Sequence, residues 1–328
     1  MTNASALTAL QSLANTNKSL EMTQARISTG YRVATASDNA AYWSIATTMR
    51  SDKSSLSVVQ DALGLGAGKV DTAYSALEKT VEIVNEIKDK LVAATGASST
   101  DKAKLQTEIS GLQSQLKMGA DGATFSGSNW LSLDTSTGTL TPGIADDAKV
   151  VAAFTRSAAG SIQLQTIDID VQSVKLYDSY TDATNPNTLK GIIDGLRLGT
   201  SGVRDDTATA AVAGTVAATD GYSVATLTVV GYNDPQISQM LTVIDTAAKE
   251  LTDAATTLGA AKKRIDLQKS STSILMDSID RGVGQLVDAD MNQESTRLQA
   301  LQVQQHLGIQ ALSIANSNAQ SILQLFKG

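Results

Sequence analysis

The sequence predicts a mainly helical chain, α+β overall, in which both termini form a long antiparallel helical bundle or coiled coil and the centre is a β-rich insert. Three observations predict it. Residues 1 to about 120 and 236 to 328 are free of proline and carry apolar residues at helical spacing. All three prolines, Pro142, Pro186 and Pro235, lie between those stretches. The intervening segment changes to Gly, Thr, Ser, Asp and Val, with short apolar runs broken by turn residues. A chain with helical repeats at its ends and turns at its centre folds back on itself, first and last helices side by side.

Composition narrows the function. At 328 residues the chain is long enough for a sizeable core. With 4% aromatic residues, that core is built from Leu, Ile, Val and Ala, which suits closely packed helices. A net charge of -7 offers no basic patch to displace counterions, so no nucleic-acid partner is expected. The absence of cysteine excludes disulfides and thiolate metal sites, and a single histidine, His306, leaves little for zinc or acid–base chemistry. Neither an enzyme nor a cofactor or metal site is expected. Runs of about 18 apolar residues are missing, so no membrane insertion is expected either. The first 20 residues lack a basic n-region and a continuous apolar core. An extracellular destination then requires a dedicated export route that leaves the N-terminus intact, without a cleaved signal peptide.

In the first arm Leu13, Leu20 and Ile27 recur every seven residues, with Ala6 and Leu10 extending the stripe backwards and Gly30 ending it. A second helix runs toward residue 60, where Gly64, Gly66 and Gly68 are expected to loosen the chain. Their spacing lacks a preceding strand and the full GxGxxG pattern, so a phosphate loop is not expected. Between 70 and 91 the stripe is Val70, Ala73, Leu77, Val81, Val84, Ile87 and Leu91, with Glu86 and Lys90 as an i,i+4 pair. A third helix over 101–118 carries Leu105, Ile109, Leu112 and Leu116, with Thr100 or Asp101 capping its start and Gly119 its end. The run at 161–176 alternates apolar and polar residues with one slip between Leu164 and Ile167, as a β-bulge or turn requires. Residues 226–232 and 208–218 are further strand candidates. After Pro235 a helical stripe resumes with Ile237, Leu241, Ile244, Ala248, Leu251, Ala255, Leu258 and Ile265.

The last arm holds two seams. Leu298, Leu301, Leu312, Ala315, Ala319, Ile322 and Phe326 make one; Val303, Leu307, Ala311, Ile314 and Leu325 make the other. One neighbouring helix covers one seam. Helices are stabilised mainly by tertiary packing, so the second seam calls for another molecule. The expected self-assembly residues are Leu13, Leu20, Ile27, Leu298, Leu301, Leu307, Leu312, Ile314, Ile322 and Phe326.

The stretch ARISTGYRVATASDNAAYWSIA at 25–46 resembles the N-terminal signature of bacterial flagellins. VDADMNQESTRLQALQVQQHLGIQALSIANSNAQSILQLF at 287–326 resembles their C-terminal signature, and TIDID at 166–170 resembles a β element of their rod domain. The Tyr42–Trp43 pair resembles the α-proteobacterial branch. The resemblance implies a subunit that self-assembles into the flagellar filament for swimming. It implies inner-tube helices at 1–40 and 286–328, a rod domain at 41–176 and 236–285, and a variable outer domain at 177–235. It also implies a homo-polymer, with or without paralogous subunits, served by an export apparatus, an export chaperone, a filament cap and hook-associated proteins. The family's plant-recognised segment corresponds to 25–46, which includes Arg32. Here the usual acidic pair becomes Asp38 and Asn39, and the usual Gly-Leu step becomes Tyr42 and Trp43. The animal receptor reads a helix at about 84–93, where relatives place an arginine and this chain has Glu86. Both departures imply that host pattern receptors are evaded.

The nearest alternative is a hook–filament junction protein, which shares similar terminal helices. A metalloprotease insert would need an HExxH helix, and none exists. A generic coiled-coil adhesin predicts no β insert between matching arms.

Overall fold

The computed structural model describes residues 4–137, 142–157 and 161–325, with side chains in the last helix described as far as Ser317. The chain is organised as two compact units, Met1–Ser55 with Ile274–Gly328, and Leu56–Ser273.

In the first unit, α1 (Ala4–Thr29) pairs with α5 (Met291–Leu325). Arg26 meets Glu294, Asn17 meets Gln305 and Leu13 lies against Gly308, so the two run antiparallel. The less exposed positions of α1 include Ala6, Ala9, Leu13, Thr16, Leu20, Thr23 and Ile27, a three–four alternation, with Ser19 and Arg26 beside it. Leu10, expected in this stripe, is instead 53% exposed, because Ala9 and the two threonines take the intermediate positions. Thr16 returns its hydroxyl to the carbonyl of Ser12 at 3.0 Å, which satisfies it within a packed seam. Gly30 ends α1 as expected. Its φ of +76° is the left-handed turn that glycine adopts without a Cβ clash.

Helices α2 (Ala40–Ala94) and α4 (Asp234–Val287) each contribute to both units. Pro235 sits in the first turn of α4, where its missing N–H costs nothing, and Asn233 accepts a hydrogen bond from the Gln236 amide at 3.1 Å. In the first unit Val33, Ala46, Val283 and Val287 form a small core with Met49, Ile279 and Leu286.

The second unit packs α2, α3 (Ser99–Gly122) and α4 around one core. The stripes predicted for 70–91 and 237–265 lie on it: Val70, Leu77, Val84, Ile87, Leu91, Ile237, Ile244, Leu251, Leu258 and Ile265 are fully buried. Three local expectations change. Helix α2 continues unbroken through Gly64, Gly66 and Gly68. An added Cβ at Gly66 would stand 2.3 Å from Val150 Cγ1, and at Gly68 2.6 Å from the Phe125 ring, so these glycines are notches for packing. Lys90 pairs with Glu108 of α3 at 2.5 Å instead of with Glu86 one turn away. Ser98, rather than Thr100 or Asp101, caps α3, and the helix passes Gly119 to end at Gly122.

The strands are β1 (Thr124–Phe125), β2 (Ser128–Asn129), β3 (Ser132–Leu133), β4 (Ala148–Arg156), β5 (Ile162–Ile169), β6 (Tyr177–Asp178), β7 (Arg197–Leu198), β8 (Thr209–Ala210) and β9 (Asp220–Tyr222). Apart from β4 and β5, of nine and eight residues, they are short. β4 and β5 form an antiparallel pair, and β8 and β7 flank β9. The irregularity expected within 161–176 lies instead on the partner strand, between Val151 and Ala153. Along β5, Ile162 and Leu164 point outward and Ile167 and Ile169 inward, so the apparent slip is a change of face. Residues 226–232 form no strand, and 208–218 yield only two strand residues. Leu227 and Val229 are buried, yet their backbone is held by Gln106 and Gln113 of α3: Val229 N donates to Gln106 Oε1 at 2.8 Å, and Gln113 Nε2 donates to Leu227 O at 2.9 Å.

The central segment is less surface-facing than its composition suggests. Leu176, Ile192, Ile193, Val224 and Val229 join the core made by the helices. Two ionic clusters fix it. Lys175 and Asp178 pair at 2.8 Å, both fully buried, with Thr135 Oγ1 donating to the carboxylate at 2.7 Å. Arg197, also fully buried, grips Glu250 of α4 through both terminal nitrogens at 2.8 and 2.7 Å.

Candidate self-assembly interface

The α1–α5 pair spends only part of its apolar surface on itself. Leu301 is buried, and Leu298, Leu312 and Ala315 are half-buried, as are Leu13, Leu20 and Ile27 opposite them. The second seam of α5 faces outward: Val303 and Leu307 are each 58% exposed and Ile314 is 63% exposed. Ile322 and Phe326 lie outside the described side chains. Leu7 and Leu10 of α1 add to the exposed apolar surface. Between Ser5, Ala9 and Ser12 of α1 and Gly308, Ala311 and Ala315 of α5 runs an open groove of about 670 Å³.

Electrostatics sharpens the picture. From Leu298 through Phe326 there is no Asp, Glu, Lys or Arg. Polar positions in that stretch are Gln, Asn and Ser, with His306 the one titratable group and exposed. Uncharged amides are far cheaper to remove from water than ions, so such a surface is suited to burial against another molecule. Within α5 charge is confined to the first turns, where Arg26 Nη1 of α1 donates to Glu294 Oε1 at 3.1 Å and the Glu294 side chain is almost fully buried; α1 carries Lys18 and Glu21 on its exposed face.

The segment after α1 is built tightly. Arg32 and Val33 donate their amides to the Val287 carbonyl at 2.7 and 3.2 Å, and the Arg32 guanidinium reaches the carbonyls of Gln285 and Leu286. A cation at the last turn of α4 complements the helix dipole. Asp38 accepts from the amides of Thr35 and Ala34 and from the Thr35 hydroxyl. The Thr35 amide above all holds this carboxyl below its ordinary range. Asn39 caps α2 by accepting from the Tyr42 amide at 3.1 Å. Tyr42 and Trp43 are exposed, as is Glu86 in the second unit. Thr16 and Thr23 in the seam and Gly308 against Leu13 were invisible to an apolar count. A heptad count that admitted small polar residues would have found them.

Fold and surface together define a helical self-association subunit: two terminal helices paired along one seam, with a second seam left open and uncharged. The description "Bacterial flagellin N-terminal helical region" matches residues 1–135, and "Bacterial flagellin C-terminal helical region" matches 241–326. Similar proteins include flagellin C of Rhizobium meliloti (strain 1021), 47% identical over all of this chain and 98% of its own length. A flagellin of Brucella melitensis is 49% identical, covering 100% of this chain and 99% of that one, and flagellin A of Rhizobium meliloti is 42% identical with the same coverage. The chain belongs to the bacterial flagellin family. It is a structural subunit of the flagellar filament and not an enzyme, and the hook–filament junction alternative gains no support. The filament is extracellular, and no helix among the described residues is long and apolar enough to cross a membrane.

Proposed function

We propose that the α1–α5 pair is the module through which copies of this chain polymerise, and that Leu307 and Ile314 are covered by neighbouring copies. Leu13, Leu20, Ile27, Leu298, Leu301 and Leu312 then hold the pair itself together. The observation that carries this reading is the exposed apolar seam of α5 in a stretch without charge. With it goes the layered division that the flagellin resemblance implies: inner-tube helices at 1–40 and 286–328, a rod domain at 41–176 and 236–285, and an outer domain at 177–235. Seeding purified protein with filament fragments tests the reading by electron microscopy. Long hollow fibres are expected, and growth by a chain lacking residues 298–328 would refute the role of the arm.

Rhizobium meliloti relatives are called flagellins A, B, C and D, which supports a filament shared with paralogous subunits. Delivery by an export apparatus and chaperone without a cleaved signal peptide, and addition beneath a cap beyond hook-associated proteins, complete the proposal. The residues at Asp38, Asn39, Tyr42, Trp43 and Glu86 make this chain a weak ligand of plant and animal pattern receptors. A dose–response on receptor-bearing cells matching a strong agonist would overturn that part.

A further inference from the structure

Outside the arms, a hollow of about 330 Å³ opens between α2 and β4. It is lined by the apolar side chains of Leu65, Val150 and Trp130 and by Lys69, Ser128 and Lys149. Val150 packs directly on α2 there, occupying the space that a side chain at Gly66 would take. Lys69 donates to Ser128 Oγ at 3.2 Å and Lys149 projects from the exposed face of β4; neither forms an ion pair among the described residues. Asp168, across the strand pair from Lys149, instead accepts the Thr166 hydroxyl at 2.9 Å.

Two ammonium groups with no carboxylate partner among the described residues, beside apolar side chains and an indole, fit a short aliphatic stem ending in an anion. The chain itself supplies that chemistry in surplus, with 33 acidic against 26 basic residues. We propose that this hollow receives an Asp or Glu side chain of a second copy, its methylenes on Trp130 and Leu65 and its carboxylate between Lys69 and Lys149. The inference rests on the filament reading and adds to it a charged contact remote in sequence from the uncharged stretch of α5. A contact of this kind acts on the rate of docking and on its salt dependence more than on final affinity.

The test is zero-length carbodiimide cross-linking of filaments grown from an equal mixture of ¹⁵N-labelled and unlabelled full-length chains, with dilute monomer as control. The expected result is mixed-isotope cross-linked peptides joining Lys149 or Lys69 to an Asp or Glu, present in filaments and absent in monomer. In parallel, Lys149→Glu should slow seeded elongation at low salt by roughly tenfold, with the difference vanishing at high salt, while Lys149→Arg elongates like the parent. Filaments that form but give no mixed-isotope cross-link at either lysine, with Lys149→Glu elongating at the parental rate, overturn the inference and leave the filament reading standing. Failure of the parent chain to polymerise would overturn both.

Discussion

Replacing Leu307 with aspartate separates the surface used within one copy from the surface used between copies. Leu307 is 58% exposed in the single chain. Full burial of a leucine is worth about 1.5–3 kcal/mol, so roughly 1–2 kcal/mol per copy is realised only when a neighbour covers it. Leu307→Asp forfeits that gain and brings a carboxylate into an apolar contact, costing a further few kcal/mol after relaxation. A total near 4 kcal/mol raises the critical concentration for polymerisation by roughly a thousandfold. In the monomer the same change lies on the surface and shifts stability by only about 0.5 kcal/mol. Pelleting of seeded polymer across a concentration series gives the first quantity, and thermal unfolding of the monomer the second. Polymerisation at the parental critical concentration would refute the reasoning. So would a monomer melt lowered as far as that of Leu301→Asp, which disrupts a side chain buried within the pair.

Within α2, Gly64→Ala meets open space and should stabilise the second unit by about 0.5–1 kcal/mol, whereas Gly66→Ala forces Val150 aside and should destabilise it by about 1–2 kcal/mol net; paired thermal melts read the opposite signs. Glu250→Ala strands the buried Arg197 guanidinium and should cost about 3–5 kcal/mol, measured by denaturant unfolding of the second unit. Asp245, held by Lys249 and Lys88, has its carboxyl lowered to about 2. Its contribution is therefore fully present above the ordinary value of 3.8 and is lost as pH falls toward about 2. In acid titrations of stability, Asp245→Asn should weaken the pH dependence in that window, where Asp38, Asp234 and Glu250 also contribute; an unchanged profile would refute the assignment.

Much of this molecule was legible in its sequence, for identifiable reasons. The stripes at 70–91 and 237–265 are long, unbroken and matched to one period, so nothing competes with the helical reading. The open seam of α5 was legible as an apolar arc wider than one neighbour covers. Other features depend on partners far along the chain. Nothing near Gly66 or Gly68 announces Val150 or Phe125, so the glycines read as looseness when they are contacts. The alternation at 226–232 is real, since Leu227 and Val229 are buried, but glutamine side chains of α3 take the place of a neighbouring strand. β4 went unrecognised because its AKVVAAFTR run, bulged between Val151 and Ala153, shows no clean alternation. Lys175 and Arg197 look like surface residues until Asp178 and Glu250 are brought to them. In the arms, threonine at Thr16 and Thr23 hid the regularity of the seam.

On the proposed reading, one face of α5 is completed only by other copies. Hydrogen exchange of residues 298–317, measured on dilute monomer and on filaments of the same protein, tests it most directly. Fast exchange is expected in the monomer, where α5 pairs with α1, and strong protection in the filament. Equal protection in both states, at the level of the buried stripes of α2 and α4, would contradict it.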